Sequence, residues 1–441
     1  SNNNSNNNSN NNSNNNNNGY DDDYYEPYVG RLEQRYSLVV WYFDQGGPKL
    51  WTTLNREPSS GWINFGSGVH ECQWKGIDCD YDNVVIIGDN DNNDDNGIVV
   101  GLRLSPALGI VLTGTSLSTE LGLLTSLRRL DVSDQRLQGT IPDEWSKMTE
   151  LESLILSKNQ LQTTIPEWIG NEWTKLEILA LDGNLCYGDI PSSLSTLTGL
   201  RHFDVQQNQQ LSGRFDKTLM MSSSLMSSAS ASASATETIE YIDISYTNLT
   251  GSLPNSTNIL PNLRFFRAWN TRGLEGSIPS EISSWSNLEV LSIDDGPNLL
   301  GTLPTQLGLL TNLKTLEIQR SFNVFGTLPT ELGLLTNLEV LNFGASNHNG
   351  TLPIEYSQLT KLEKMDFMTN QALTGTLPIE YSSLVNLKYL DLRATGLEGE
   401  VSPEICAIDF ELFNADCGSA NDKSSGKMIC ACCTWCYAIA F

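Results

Sequence analysis

A short leucine pattern, L-x-x-L-x-L, recurs through most of the chain at steps of 24 or 25 residues. Its first apolar residue falls at Leu127, Leu151, Leu176, Leu200, Ile239, Leu263, Leu288, Leu313, Leu338, Leu362 and Leu387. One step is longer and measures 39 residues, from Leu200 to Ile239. A period of this length is typical of a solenoid, because one unit cannot bury its apolar face and its neighbours must stack on it. The repeat therefore predicts one continuous stacked core.

Each unit predicts a short strand followed by a return of the chain. In Leu154-Ile155-Leu156 and its counterparts, two apolar residues flank a variable one, as in a strand with one buried face. A glycine and then Ile-Pro or Leu-Pro follow, as at residues 139–142. Glycine accepts the backbone angles of a turn, and proline interrupts regular pairing. Stacked units would align these strands in a parallel sheet along an inner face.

An asparagine recurs shortly after the strand. The members of this column are Asn159, Asn184, Asn208, Asn248, Asn298 and Asn323. A buried amide at such a place bonds the backbone of neighbouring turns, so the column predicts a buried ladder. Gln135 and Thr395 depart from it in outer units, where we expect a looser ladder.

Composition divides the chain into four regions. Residues 1–28 are rich in Asn, Ser and acidic side chains, so we expect a disordered tether. Residues 29–96 are interpreted as an N-terminal cap, and residues 97–404 as about twelve repeats. A Ser/Ala-rich stretch near 217–237 accounts for the long step and predicts a tolerated loop. Residues 405–441 form a cysteine-rich C-terminal cap.

The unit L-x-x-L-x-L-x-x-N-x-L-x-G-x-[IL]-P resembles the plant-specific class of leucine-rich repeats. Residues 71–79, Glu-Cys-Gln-Trp-Lys-Gly-Ile-Asp-Cys, are similar to the C-x-W-x-G-[IV]-x-C end of the plant N-terminal cap. A helix predicted over residues 30–43 fits the same cap. Its apolar face is formed by Leu32, Tyr36, Val39 and Phe43. The resemblance covers about residues 30–417.

This resemblance implies an α/β fold, a right-handed leucine-rich-repeat solenoid or horseshoe with an inner parallel β-sheet, outer turns or 3-10 helices and disulfide-closed caps. It also implies extracellular recognition of a protein, peptide or glycan ligand on the concave face, as in receptor ectodomains. The alternative is a soluble secreted protein of the wall or matrix that acts in adhesion or inhibits enzymes. The kinase motifs that follow many such ectodomains do not occur in this chain.

Nine cysteines, mostly at the two ends of the array, indicate an oxidising compartment. We expect disulfides between Cys72 and Cys79 and between Cys406 and Cys417, each closing one cap. Cys186 is predicted to be a free thiol. The last four cysteines are also expected to form disulfides, with a tetrahedral zinc site or acylation as alternatives. They are Cys430, Cys432, Cys433 and Cys436.

One patch of the predicted inner face stands out from its acidic surroundings. Tyr241, Phe265, Arg267 and Trp269, with His202 nearby, combine aromatic rings and a guanidinium at exposed strand positions. Such side chains are common anchors of binding surfaces. The patch is therefore our candidate ligand-binding site, and local packing is the alternative explanation.

Other sequence features carry weaker predictions. Asn248, Asn255 and Asn349 lie in glycan acceptor triplets. Threonines in the Gly-Thr-Leu-Pro units would form a column that repeats at the distance between neighbouring strands, and such a column could match an ice lattice. Ice binding is therefore a remote alternative. The members of the column are Thr302, Thr327, Thr351 and Thr376. The acidic residues 89–95 lack the Gly and Glu of an EF-hand loop, so no metal site is predicted there.

The remaining function classes are disfavoured. A formal net charge of −26 repels phosphate backbones, which argues against a nucleic-acid partner. No nucleophile motif accompanies the three histidines, so we predict neither an enzyme nor a cofactor. The sequence contains no run of about 18 apolar residues, so it predicts no membrane span within this segment. We expect an extracellular or cell-surface protein, with a membrane tether outside this segment as one arrangement.

Overall fold

The computed structural model describes residues 36–39, 74, 77–80, 98–104, 106, 112, 116–218, 238–253, 260–417 and 428–436. The predicted tether, most of the Ser/Ala insertion, the acidic stretch at 89–95, Cys72 and Asn255 lie outside these residues. Within them, none of the helices has the length and apolar character that a membrane span requires.

A fifteen-stranded inner sheet runs through the described part of the chain. Its strands are Ile77–Asp80, Ile98–Arg103, Arg129–Asp131, Ser153–Ile155, Ile178–Ala180, His202–Asp204, Tyr241–Asp243, Phe265–Arg267, Val290–Asp294, Thr315–Gln319, Val340–Asn342, Lys364–Asp366, Tyr389–Leu392, Leu412–Ala415 and Trp435–Cys436. The first two strands pair antiparallel. Each later strand pairs in parallel with the strand of the next unit.

The register of this sheet confirms the predicted stacking. Leu154 pairs with Leu130 on one side and Leu179 on the other. Farther along, Ile293 pairs with Ile318. All five side chains are completely buried. The leucine columns therefore form one continuous core, and the residues between them face outward along the inner sheet.

Outside the inner sheet, each unit carries a short second strand and a helical turn. The second strands are Gln138–Gly139, Gln160–Leu161, Tyr187–Asp189, Gln210–Ser212, Thr250–Ser252, Gly273–Gly276, Asn298–Leu299, Gly301–Thr302, Val324–Thr327, Asn347–Gly350, Ala372–Gly375, Gly396–Leu397, Gly399–Glu400 and Met428–Ile429. The 3-10 helices are Thr119–Leu123, Asp143–Lys147, Ser192–Thr196, Ser280–Ser284, Thr305–Leu309, Thr330–Leu334, Ile354–Gln358, Ile379–Ser383 and Ile405–Ala407. Two α-helical turns, Trp168–Glu172 and Phe215–Thr218, replace them elsewhere.

The Gly-x-[IL]-Pro segment explains this alternation. Gly326 has a φ of 93°, and a Cβ atom there would lie 2.8 Å from Cγ2 of Thr302. Only glycine combines that backbone angle with such a close approach of the preceding unit. Pro329 then precedes a 3-10 helix with an extended ψ of 127°, where the absence of a backbone N–H is harmless.

Large aromatic side chains replace leucine at some core positions. Trp145 and Tyr381 are buried, and each directs its polar atom to a carbonyl of the preceding unit. The Trp145 Nε1–H donates to Ser118 O at 2.8 Å, and the Tyr381 hydroxyl donates to Pro353 O at 2.8 Å. These bonds satisfy the polar tips and link one repeat to the next.

The asparagine ladder exists, and Gln135 extends it. Asn159 Nδ2 donates to Val132 O at 3.0 Å, and its Oδ1 accepts from the backbone N–H of Leu137 at 3.0 Å. Gln135 does the same one unit earlier, donating to Leu104 O at 3.0 Å. The expectation of a looser ladder at Gln135 is therefore wrong, because the longer amide still reaches both backbone partners.

The predicted burial is wrong for Asn248, Asn298 and Asn323, whose side chains are exposed, although Asn298 and Asn323 still donate to backbone carbonyls of the preceding unit. The buried place lies three residues after the last strand leucine, so Thr247 occupies it instead of Asn248. Its hydroxyl donates to Ile244 O at 2.7 Å. The asparagines that follow one or two positions later point outward because the turn has already reversed.

The C-terminal cap is closed by disulfides, but the predicted partner of Cys406 is wrong. Cys406 bonds to Cys432, and Cys417 bonds to Cys436. The reason is that residues 435–436 add to the sheet edge in parallel, with Ala415 paired to Cys436, which brings Cys417 to that strand. The predicted participation of the last four cysteines is confirmed, since Cys430 and Cys433 also form a disulfide.

Cys79 and Cys186 also lie among the described residues. Cys186 is a free, completely buried thiol, as predicted, and burial raises its pKa to about 12. Cys79 is disulfide-bonded.

In the N-terminal cap, residues 36–39 are helical, but the predicted apolar face is wrong at Tyr36, which is 58% exposed. The helix turns Leu38 to the core instead.

Candidate ligand-binding site

The parallel register brings three of the predicted site residues side by side on the inner face. His202, Tyr241 and Phe265 occupy the same position of three neighbouring strands. The rings of His202 and Tyr241 stack with centroids 4.1 Å apart, and Tyr241 and Phe265 follow at 5.8 Å. These rings form an aromatic row that packs along the sheet.

Arg267 lies beside this row and is held by it. Its guanidinium carbon is 5.9 Å from the centroid of the Tyr241 ring, within the range of a cation–π contact. One of its N–H groups donates to the Tyr241 hydroxyl at 3.3 Å. That hydroxyl in turn donates to Asp243 Oδ2 at 3.4 Å. Tyr241 thus connects a cation and an anion on adjacent strands.

Trp269 is fixed by a chain of hydrogen bonds. Its indole N–H donates to Ser292 Oγ at 2.5 Å, and the Ser292 hydroxyl donates to Glu317 Oε2 at 2.7 Å. Its backbone N–H donates to Ser245 Oγ at 2.9 Å. The side chain is nevertheless 37% exposed, so a rigidly oriented indole faces solvent.

A shallow hollow of about 180 Å³ opens between these groups. Its lining consists of Gln206, Asp243, Arg267, Trp269, Val290, Ser292, Thr315 and Glu317. Of the predicted site residues, Arg267 and Trp269 line this hollow. Tyr241 does not line the hollow but bonds to Arg267, which does. His202 and Phe265 lie in the aromatic row, outside the hollow. We call this feature the Arg267–Trp269 hollow.

The sequence prediction missed six of these eight lining residues. Val290 and Thr315 occupy the strand position of Phe265 in the next two units, and their identities carry no signal of a site. Ser292 and Glu317 follow Arg267 in the central column of the strands. Reading that column across three consecutive units would have placed both beside Arg267.

A family model described as Leucine Rich Repeat matches residues 126–148 and 150–171. Curated protein sequences contain no significant match. Among solved structures, the LRR ectodomain of the plant membrane receptor kinase GASSHO1/SCHENGEN3 from Arabidopsis thaliana, in complex with CASPARIAN STRIP INTEGRITY FACTOR 2, shares 25% identity at a TM-score of 0.57 over 68% of this chain. The plant peptide hormone receptor RGFR1 in complex with RGF2 shares 25% identity at a TM-score of 0.57 over 78% of this chain. The chain thus carries leucine-rich repeats and is similar in fold to plant receptor ectodomains.

This leucine-rich-repeat protein spans only part of those receptors' length. It covers 37% of the first ectodomain chain and 56% of the second. A third structure, of a TDR receptor, shares the fold at 24% identity and a TM-score of 0.59, over 68% of this chain and 48% of the other.

Asp243 and Glu317 line the hollow of the leucine-rich-repeat protein, and Asp204 lies beside Asp243 on the neighbouring strand. Burial, together with the negative charges of Asp182 and Asp243, raises the pKa of Asp204 to about 7. Burial also raises the pKa of Asp243. The pKa of His202 is lowered by burial, against the opposing charge of Asp182. This side of the hollow is therefore acidic, and its charge varies near neutral pH.

Two further groups of predicted residues lie away from the hollow. Asn248 and Asn349 are exposed on the outer turns, and their use as glycan sites stays a prediction. Among the described residues, one cysteine cluster has metal-ligand spacing, with the sulfur atoms of Cys417, Cys433 and Cys436 within 4.8 Å of one another. All three are disulfide-bonded in this structure.

Proposed function

We propose that this protein is an extracellular binding scaffold that recognises a peptide or protein segment at the Arg267–Trp269 hollow. The observation that carries the proposal is the indole of Trp269, which is exposed yet fixed through Ser292 and Glu317. A fixed aromatic group binds without losing side-chain freedom, which is why such residues dominate binding energies.

Arg267 supports the same reading. Within the described residues its guanidinium has one side-chain hydrogen bond, to Tyr241, and no carboxylate within salt-bridge distance. Arg320 and Arg393 differ, since they pair with Asp294 and Asp391. Arg267 thus retains donors for a backbone carbonyl or a carboxylate of a ligand.

The receptors that this chain resembles add a second line of support. The GASSHO1/SCHENGEN3 ectodomain and RGFR1 were solved with CASPARIAN STRIP INTEGRITY FACTOR 2 and RGF2 respectively, the latter receptor being described as a peptide hormone receptor. A small hollow on a long regular sheet suits one anchor side chain of an extended ligand. The acidic groups Asp182, Asp204 and Asp243 favour a ligand that carries basic residues next to that anchor.

A binding screen tests the proposal. Synthetic peptides, secreted proteins and a glycan array are applied to the wild-type protein, and each hit is measured again with Trp269→Ala and Arg267→Ala. We expect a peptide or protein hit whose affinity falls at least about tenfold in either variant. We also expect binding to weaken as salt rises, because the acidic flank is partly exposed.

The matched control is Tyr389→Ala. Tyr389 is an exposed aromatic residue at the same strand position as Tyr241, but it lies several units away from the hollow. Its removal should leave affinity unchanged. A ligand that binds both hollow variants as tightly as the wild type would refute this site, and a screen with glycan hits alone would refute the ligand class.

A further inference from the structure

The C-terminal cap contains more cross-links than its attachment needs. Cys406–Cys432 joins the last 3-10 helix to the terminal segment, and Cys417–Cys436 joins the sheet edge to strand Trp435–Cys436. Cys430–Cys433 joins two residues only three positions apart in the same segment. Because the other two disulfides already hold that segment, the third adds little constraint to the fold.

Loop length supports this distinction. A disulfide stabilises a fold mainly by restricting the unfolded chain, and the effect grows with the loop that it closes. The sequence separations are 26 and 19 residues for the first two disulfides but 3 for Cys430–Cys433. The short disulfide can therefore open while the cap remains folded.

The same disulfide is placed for exchange. Its spacing is Cys-x-x-Cys, the arrangement found in thiol–disulfide oxidoreductases. The sulfur of Cys433 lies within 4.8 Å of the sulfurs of both Cys417 and Cys436, which form the neighbouring disulfide. Cys430 and Cys433 are partly exposed and Cys436 is exposed, so a small thiol reaches the cluster from solvent.

We propose that Cys430–Cys433 is a thiol-exchange site that takes a dithiol as substrate and passes the exchange to Cys417–Cys436. In the first step, a thiolate of the dithiol bonds to one sulfur of Cys430–Cys433 and breaks that bond. The second thiol of the dithiol then displaces it. The dithiol is oxidised to a disulfide, and the protein pair is reduced to two thiols.

In the second step, the Cys433 thiolate attacks the Cys417–Cys436 disulfide. A bond forms from Cys433 to one of these sulfurs, and the other leaves as a thiolate that takes up a proton from solvent. This step is an isomerisation and transfers no net electrons. With Cys436 as the attacked sulfur, the terminal strand loses its cross-link to the sheet edge and remains tied only through Cys406–Cys432.

Differential alkylation tests the first step. The native protein is treated with limiting dithiothreitol in the presence of a chelator, quenched with iodoacetamide at intervals and mapped by mass spectrometry. We expect Cys430 to be labelled at least about tenfold faster than Cys406 and Cys432. Cys186, which is completely buried, must remain unlabelled and so reports that the fold is intact. Equal rates for all the disulfides would overturn the proposal.

A variant tests the second step without a reductant. Cys430→Ser leaves Cys433 as a free thiol, which should attack the neighbouring disulfide and leave an alkylatable Cys417 or Cys436. In the control, Cys430→Ser with Cys433→Ser, Cys417–Cys436 should stay intact. A single variant that keeps Cys417–Cys436 and a free Cys433 would overturn the relay. If the single variant does not fold, the wild type tests the relay through the order of labelling. Label at Cys430 followed by label at Cys417 or Cys436 supports the relay, and label at Cys430 and Cys433 alone overturns it.

Discussion

His348 occupies a column of buried aliphatic residues on the outer strands. Val324 and Leu373 hold the equivalent place in the units on either side, and all three side chains are almost completely buried. The His348 ring lies 5.3 Å from the ring of Phe343. Its Nδ1 is 3.4 Å from Gly326 O, so Nδ1 carries the proton, and Nε2 has no partner among the described residues.

Protonation of Nε2 would place a charge in this apolar environment. Burial accordingly lowers the pKa of His348 from 6.5 to about 4. The unfolded chain binds the proton more tightly, so the contribution to stability is fully present above pH 6.5 and is lost as the pH falls toward 4. From these two pKa values, the free energy of unfolding at about pH 5 is about 2 kcal/mol lower than at high pH.

We predict that His348→Leu removes this loss. Leucine is the usual residue of the column and does not titrate. A solenoid opens by stretches of repeats, so the assay is hydrogen exchange of peptides that cover residues 341–352, at about pH 5 and pH 7.5. Between these conditions, wild-type protection should fall about 30-fold further than that of the variant.

Two controls isolate the titration of the ring. Leu373→Ala weakens the same column without a titratable group, so its effect should be equal at both pH values. His348→Gln keeps a buried polar side chain but should lose the pH dependence. An identical pH response in wild type and His348→Leu would show that the ring is solvated or charged in the fold, and the desolvation argument would fail.

Three further predictions concern other parts of the chain. Burial raises the pKa of Asp204 from 3.8 to about 7, so stability falls as pH rises through this range; Asp204→Asn should raise the melting temperature at about pH 8, and by less at about pH 5. Asn184→Ala should lower the free energy of unfolding by about 1–3 kcal/mol in urea titrations, whereas exposed Asn248→Ala should change it by under about 0.5 kcal/mol. Gly326→Ala should destabilise by at least about 1 kcal/mol, measured in the same way, because φ is positive and Cγ2 of Thr302 blocks the added methyl group; an unchanged midpoint would contradict the assigned turn.

Some features of the site could not be predicted from the order of residues. The aromatic and cationic residues Tyr241, Arg267 and Trp269 were identifiable because they interrupt an otherwise ordinary inner face. The role of Ser292 could not be predicted, because serine occurs both in binding sites and at ordinary surface positions. Only the bonds from Trp269 and to Glu317 show that it fixes the indole.

The disulfide pairing illustrates the same limit. Eight of the nine cysteines lie in the two caps, and their clustering predicts cross-links but not partners. Cys406 and Cys417 are eleven positions apart by their numbers, yet they lie on different elements of the last unit. The pairing of Cys417 with Cys436 depends on the additional strand Trp435–Cys436, which the repeat pattern does not predict.

The sequence by itself determined the solenoid, the alternation of strand and turn, and the buried leucine columns. These depend on periodic burial, and a period can be read from residue order because every unit meets the same neighbours. Tertiary structure alone decided which inner-face side chains touch, how Asp204 and His348 titrate, and which sulfurs bond. These properties depend on distances between residues about 25 positions apart and on the exclusion of water, which exist only after the units have stacked.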